Sequence, residues 1–363
     1  MLRAGGARAN GHKPPWIGIG VVGAGYWGPK HVRSFSELPR ARVAMVADRD
    51  PRRLAAIRSQ YRAMRTTTRF EDLLASPDVD AIVVATPASS HASLARQALL
   101  AGKHVLVEKP LALATADAEE LVRLAAATGR MLMVGHTFLY NPAVRALREL
   151  VQCGELGEIY YANAGRLNLG LFQRDINVVW DLAPHDVSIL MYVLDAEPLA
   201  VSAWGGAFVQ AGIEDVAYLD VTFPRRVRAQ IHVSWLDPNK VRRLTVVGSR
   251  KMAVYDDVET LEKIRVYDKG VEAPPHTDTF GEFQLSYRYG DIRIPHLPPT
   301  EPLRLECEAF LDCIESGTAP LTDGLHGLRV VRVLEAAQQS LRDGGRRLLA
   351  AQTADLCPAC AVG

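Results

Sequence analysis

The chain has 363 residues, of which 48% are hydrophobic, with 42 basic residues set against 41 acidic ones. That length fills two domains and buries a substantial core. The balanced charge excludes a nucleic-acid or membrane-surface partner held by bulk charge, and no stretch approaches the roughly 18 consecutive apolar residues of a membrane span.

Residues 1–14 contain no apolar run and read as a disordered leader, not a secretory signal. From Trp16 onward, short apolar runs alternate with helical stretches. Ile17–Val22, Ala41–Ala47, Ala81–Ala85, His104–Val107 and Met131–Gly135 are expected as buried strands. Trp27–Ser36, Pro51–Gln60, His91–Ala101 and Thr115–Thr128 carry apolar residues at helical spacing between them. Alternating strands and helices predict a parallel, doubly wound sheet over residues 15–140. Gly23, Gly25 and Gly28 follow the first strand in the order Gly-x-Gly-x-x-Gly, with Tyr26 and Trp27 between the last two. That pattern between a strand and a helix suits a dinucleotide: a tight turn, close backbone approach to the pyrophosphate, and free N–H groups facing the phosphates. Asp48 ends the next strand 20 residues after Gly28, where a carboxylate accepts from ribose hydroxyls and repels a 2′-phosphate. NAD is therefore expected over NADP, with Arg49 tempering the repulsion.

Glu108-Lys109-Pro110 follows a strand, so Lys109 is expected at the carboxyl edge where open α/β sheets place ligands. After Asn141-Pro142 a helix to about Gln152 leads into longer segments, polar at alternate residues. These are Glu158–Arg166, Ala200–Phe208, Val216–Phe223, Arg226–Ser234, Arg242–Val247 and Lys251–Asp256. They predict a second α/β domain over residues 141–345, with a large, mostly antiparallel sheet open on one face. The helix Val178–Val193 interrupts them. It carries Asp181 and His185 four residues apart, a spacing that lets a carboxylate orient an imidazole as a general base. Residues 270–300, rich in Pro, Gly and His, read as an irregular loop. Helices are expected near Leu303–Glu315 and His326–Leu341, packing back toward the first domain, and residues 346–363 read as a tail.

The five cysteines, Cys153, Cys307, Cys313, Cys357 and Cys360, are odd in number and scattered. That pattern argues against a disulfide framework and for a reduced, cytoplasmic setting. Cys357 and Cys360 have metal-like spacing but no second ligand pair nearby, so no metal site is expected.

Several of these pieces together resemble the Gfo/Idh/MocA oxidoreductases: the glycine run 23–28, Asp48, Thr86-Pro87 with His91, Glu108-Lys109-Pro110, Gly135-His136, Asn141-Pro142 and Asp181-x-x-x-His185. They stand in the family's order from about Trp16 to Leu341. The resemblance implies that Lys109 polarises the reacting hydroxyl, that His185 is the general acid/base with Asp181 as its partner, and that Thr86, Pro87 and His91 line the nicotinamide side. It extends the cofactor set to Glu108 and Lys109. It further implies a homodimer or homotetramer formed through the open sheet face. The run around Asp181 looks most like members that act on sugar nucleotides or antibiotic-pathway glycosides, oxidising a ring hydroxyl before amination. One departure is that Arg174-Asp175-Ile176-Asn177 stands where many members have a Gly-Gly pair. Tyr140, Asn163, Arg166, Arg174, Asp175 and Asn177 are the expected substrate contacts, with Arg166 or Arg174 suited to a phosphate or carboxylate. Alternatives on the same fold are an NADPH-dependent ketosugar reductase, an NAD-dependent glycosidase and a non-catalytic sugar- or NAD-sensing regulator.

Overall fold

The computed structural model describes residues 16–272 and 286–350. The expected leader and the pair Cys357 and Cys360 lie outside the described residues. The chain divides into two compact units. One holds the described residues up to 137 together with Glu301–Leu328, and the other holds Phe138–Thr300 with residues 329–350.

The first unit alternates β1 (Ile17–Val22), α1 (Gly28–Ser36), β2 (Ala41–Ala47), α2 (Pro51–Gln60), β3 (Arg65–Thr67), α3 (Glu71–Ala75), β4 (Ala81–Val84), α4 (His91–Leu100), β5 (His104–Glu108), α5 (Thr115–Thr128) and β6 (Leu132–Gly135). The strands pair in parallel in the order β3-β2-β1-β4-β5-β6. β1 and β4 are buried along their whole length, as strands covered on both faces must be, which explains their uninterrupted apolar runs. The strand order reverses between β1 and β4, so a crevice is expected at their carboxyl ends. β3 and α3 escaped the sequence reading. The Arg-Thr-Thr strand has no apolar period and is defined only by its pairing with β2.

In the second unit α6 (Pro142–Gln152) is capped by Asn141, whose side chain accepts from the Ala143 amide at 2.9 Å. It leads to β7 (Ile159–Leu167), α7 (Val178–Leu194), β8 (Ala200–Gly206), β9 (Val216–Thr222), β10 (Arg228–Ser234), β11 (Val241–Gly248), β12 (Met252–Asp256), β13 (Ile264–Glu272) and β14 (Ser286–Arg293). The chain then forms α8 (Pro302–Ser316), α9 (Gly324–Arg342) and β15 (Leu348–Leu349). The nine strands run in the order β14-β13-β12-β11-β7-β10-β9-β8-β15. Every neighbouring pair is antiparallel except β7 with β10.

Alternation sets the two faces of this sheet apart. Ala162 and Ala164 of β7, Leu219 and Val221 of β9, and Ile231 and Val233 of β10 are buried, and α7 packs against these three strands. Tyr161, Asn163, Trp204, Tyr218 and His232 occupy alternate positions. Trp204, Tyr218 and His232 form a ladder across β8, β9 and β10, with ring centroids 4.3 and 4.0 Å apart. Two expectations change here. Part of the segment read as an irregular loop forms the outer strands β13 and β14, and β15 lies inside the stretch read as a tail.

α8 belongs with the first unit and packs against α1, with the Phe310 and Phe35 rings edge to face at 6.4 Å. The Val134 amide of β6 donates to the Thr322 carbonyl at 2.8 Å.

Candidate active site

The glycine loop is shaped by two steric demands. Gly23 has φ +94°, and a Cβ there would lie 2.4 Å from the Ala85 carbonyl oxygen. A Cβ on Gly28 would lie 1.9 Å from the Gly23 carbonyl oxygen, so only glycine lets α1 start so close to the turn. A Cβ on Gly25 would instead meet nothing but the Arg53 Nη1 at 3.5 Å. Its backbone therefore borders open space into which a side chain would project, and a pyrophosphate fits that cradle. Lys30 places its ammonium over the Tyr26 ring, 3.6 Å from the centroid, and over Trp27 at 4.3 Å.

Asp48 sits just beyond β2. Its Oδ2 accepts from the Ala24 amide at 2.7 Å and its Oδ1 from the Asp50 amide at 2.8 Å, which fixes the carboxylate against the glycine loop. A carboxylate has about four acceptor positions, so two remain for ribose hydroxyls. Arg53, itself exposed, brings Nη1 to 3.6 Å from Asp48. The arginine nearest this carboxylate is thus the one on the first turn of α2. Asp50, whose side chain accepts from the Arg52 amide, starts that helix and so sets the placement.

Thr86 and Pro87 follow β4, and Ser90 donates to the Thr86 hydroxyl at 2.7 Å. His91 is buried, with Nδ1 2.7 Å from the Pro110 carbonyl and Nε2 2.9 Å from the Thr86 carbonyl. Burial pulls its imidazole below the ordinary value, against the two carbonyls that raise it. Both nitrogens face backbone carbonyls, and the neutral ring donates to one of them, so His91 sits between the loop after β4 and the turn after β5. Lys109 projects from that turn, and its peptide to Pro110 is cis. Lys109 is partly exposed while Glu108 beside it is buried, as expected where a strand ends. Glu108, expected among the cofactor contacts, is instead buried and turns inward to accept from His31 Nε2 at 2.7 Å, because the strand directs it into the unit. Nearby, His136 lies edge-on to His326 at 5.2 Å. Among the described residues neither ring nitrogen of His136 has a hydrogen-bond partner. Burial, followed by the charges of His326 and Lys109, holds its pKa well below the ordinary value.

In the second unit α7 starts at Asn177, whose side chain accepts from the Trp180 amide at 3.2 Å. Its amide donates to Glu214 at 2.6 Å and to Gln338 at 2.7 Å. Asp181 lies in the first turn, where the positive end of the helix favours a carboxylate, and its Oδ2 accepts from the Trp235 indole at 2.9 Å. His185 follows one turn later, with its ring edge-on to Phe138 at 4.9 Å. Pro184 between them removes the amide that would have bonded the Trp180 carbonyl.

The expected substrate contacts separate. Arg166 is buried and bonds Asp186 through both Nε and Nη2, at 2.8 and 3.0 Å, so its charge is already paired. Asn177 is committed to capping α7, and Tyr140 is buried beneath Arg145. Asn163 lies on the exposed face of β7, opposite the face that α7 covers. Arg174 and Asp175 stand exposed just before α7. Sequence reading missed His31, Arg53 and Trp235. Each acts on a residue 5 to 77 positions away, and none sits in a motif of its own.

Residues 17–136 match the family model for the oxidoreductase family with an NAD-binding Rossmann fold, and residues 144–254 match the Gfo/Idh/MocA C-terminal domain. The chain is 29% identical over 313 residues to UDP-N-acetylglucosamine 3-dehydrogenase of Acidithiobacillus ferrooxidans, covering 86% of this chain and 93% of that one. The solved structure of that enzyme, GnnA, superposes with a TM-score of 0.74 over 90% of this chain and 98% of its own. An oxidoreductase of Magnetospirillum magnetotacticum is 30% identical, covering 89% and 99% of the two chains at a TM-score of 0.74. GenD2 from gentamicin A biosynthesis, solved in complex with NAD, is 25% identical with a TM-score of 0.78, covering 95% and 99%.

The chain belongs to the Gfo/Idh/MocA oxidoreductase family. As a Gfo/Idh/MocA protein it is an oxidoreductase acting on CH–OH groups, with NAD as its cofactor. Its first unit is the family's Rossmann domain. No helix among the described residues is long and apolar enough to cross a membrane.

Proposed function

We propose that this protein oxidises a ring secondary hydroxyl to a ketone ahead of transamination. The hydroxyl is that at C3 of a sugar nucleotide or an aminoglycoside-type glycoside. The observation that carries this reading is the near-full-length similarity to UDP-N-acetylglucosamine 3-dehydrogenase, in a chain that also holds Lys109 beyond β5 and the Asp181–His185 turn of α7. NAD, when bound, supplies the hydride acceptor. Lys109 donates to the substrate oxygen and stabilises the alkoxide as it forms. His185 takes the hydroxyl proton, and Asp181, anchored by the Trp235 indole, orients it. The protein supplies position and electrostatics for chemistry that belongs to the cofactor.

Arg174 and Asp175 remain as exposed candidates for recognising the polar groups of the glycoside. The ladder of Trp204, Tyr218 and His232, exposed at Trp204 and half-buried at the other two rings, supports association of two or four copies through the open sheet face.

The test is NADH formation by purified protein offered UDP-N-acetylglucosamine, its uronic acid and aminoglycoside-type glycosides in parallel. NADH accumulation with at least one of them is expected; turnover of none would overturn the substrate class. Lys109→Met should lower turnover roughly 100- to 10,000-fold while NAD binding, followed by calorimetry, stays within about threefold. Near-native turnover by that variant would remove Lys109 from the mechanism.

A further inference from the structure

The mechanism leaves unused a set of buried polar side chains inside the first unit. His31 of α1 is fully buried and directs Nε2 to Glu108 Oε1 at 2.7 Å. Its Nδ1 faces the Cys307 sulfur of α8 at 3.9 Å. The neighbour of Cys307, Glu306, accepts from the Thr137 hydroxyl at 3.0 Å and has no partner at Oε1 among the described residues.

A cysteine, a histidine and a glutamate in line superficially match a nucleophilic triad. The electrostatics oppose that reading. Burial pushes the Cys307 thiol well above its ordinary range, with Glu306 and Glu108 adding to the effect, so the sulfur keeps its proton and has no access to solvent. The Glu108 carboxylate can only accept from Nε2, which leaves Nδ1 of the neutral ring as an acceptor for the protonated thiol. The ring thus carries its hydrogen on Nε2 and donates it to Glu108. Thiol, imidazole and carboxylate form a one-directional chain from α8 through α1 to the end of β5.

Its two inner members each sit beside working parts. His31 is in the first turn of α1, three residues after Gly28, and Glu108 is the residue before Lys109. We infer that His31 and Glu108 are positioning residues that lock the Lys109 turn to the dinucleotide-binding helix, so that seating the cofactor also fixes the lysine. The inference rests on the NAD-binding role of the first unit and on the place of Lys109. It does not depend on the substrate proposed above.

The experiment needs no substrate. Full-length protein is labelled with acetic anhydride, with and without saturating NAD, and acetylation at Lys109 is read by peptide mass spectrometry. NAD should lower Lys109 labelling at least about fivefold in the native protein. In His31→Leu and Glu108→Leu, NAD still binding by calorimetry should protect less than about twofold. His31→Gln and Glu108→Gln, which keep a donor and an acceptor in the same places, should restore most of the protection. Should a leucine variant unfold, His31→Phe, which keeps the ring and removes the donor to Glu108, takes its place with the same expected loss of protection. Full protection in a folded leucine variant, or no protection in the native protein, overturns the inference. A merely structural pair would change melting temperature and leave protection intact. Failure of the catalytic reading of Lys109 shows separately, as native turnover in Lys109→Met.

Discussion

Glu306 shows how one buried group gives a small acidic cluster a measurable pH response. Burial raises its carboxyl well above the ordinary value of 4.5, with the nearby Glu108 charge as the second cause. The unfolded chain releases that proton near the ordinary value, whereas the folded protein retains it. The folded state therefore binds more protons above this point, and stability falls as pH rises toward the shifted value. Glu306→Gln should flatten that fall, read from urea midpoints across the mildly acidic to alkaline range. An unchanged slope would place the acid elsewhere. His136 acts with the opposite sign. Its imidazole is held below 6.5, so the unfolded chain binds the extra proton there and stability rises with pH through that window. Motif residues such as Lys109 and Asp48 were legible because spacing marks them. His31 was not, because its partners Glu108 and Cys307 are 77 and 276 positions away and nothing local announces them.

At the scale of elements, the glycine loop and the β7–α7 layer separate steric necessity from function. Gly28→Ala drives a Cβ into the Gly23 carbonyl, so α1 must shift; lost NAD binding with a lowered melting temperature is expected. Gly25→Val projects only toward open space and Arg53, so a native melting temperature with at least about tenfold weaker NAD binding is expected. Calorimetry and thermal melts on both variants distinguish the two roles, and equal melting losses would contradict this account. In the second unit, Arg166→Met leaves Asp186 buried without its partner. The expected cost is about 3–5 kcal/mol, measured by urea denaturation. A loss of activity without that destabilisation would return Arg166 to the substrate site. The sequence pattern made the strands of both sheets legible, because period-two and all-apolar runs are local properties. It could not show that Arg166 faces α7 while Asn163 faces away, since that depends on register. β13 and β14 were obscured by the prolines and histidines around them, and their pairing with each other defines them.

For the molecule as a whole, the mostly antiparallel sheet ends in an exposed aromatic ladder, and Trp204 is 62% exposed there. Together with the exposed Tyr161, that stack supports the proposed burial of this face by a second copy. If copies associate through this face as proposed, Tyr218→Arg, at the centre of the ladder, should give a smaller species than the native protein by light scattering after size exclusion. An unchanged mass would exclude this face. The two-domain plan was legible from the change in strand character near Asn141. The assignment of Glu301–Leu328 to the first unit rests on long-range pairing, such as Val134 with Thr322, that no local pattern displays.

That return of the chain bears on biosynthesis. The Rossmann unit is encoded first, yet α8, which covers Phe35 and completes the surroundings of His31, leaves the ribosome some 165 residues after β6. At a typical elongation rate of about 5–20 residues per second, a nascent cofactor domain waits on the order of ten seconds or more with that side of α1 uncovered. The central strand β7 likewise waits for β10 and β11 to be made. Vectorial synthesis thus yields two half-built units that close almost together, once α8 and α9 have been made. That is a window in which chaperones can bind and truncated chains can aggregate.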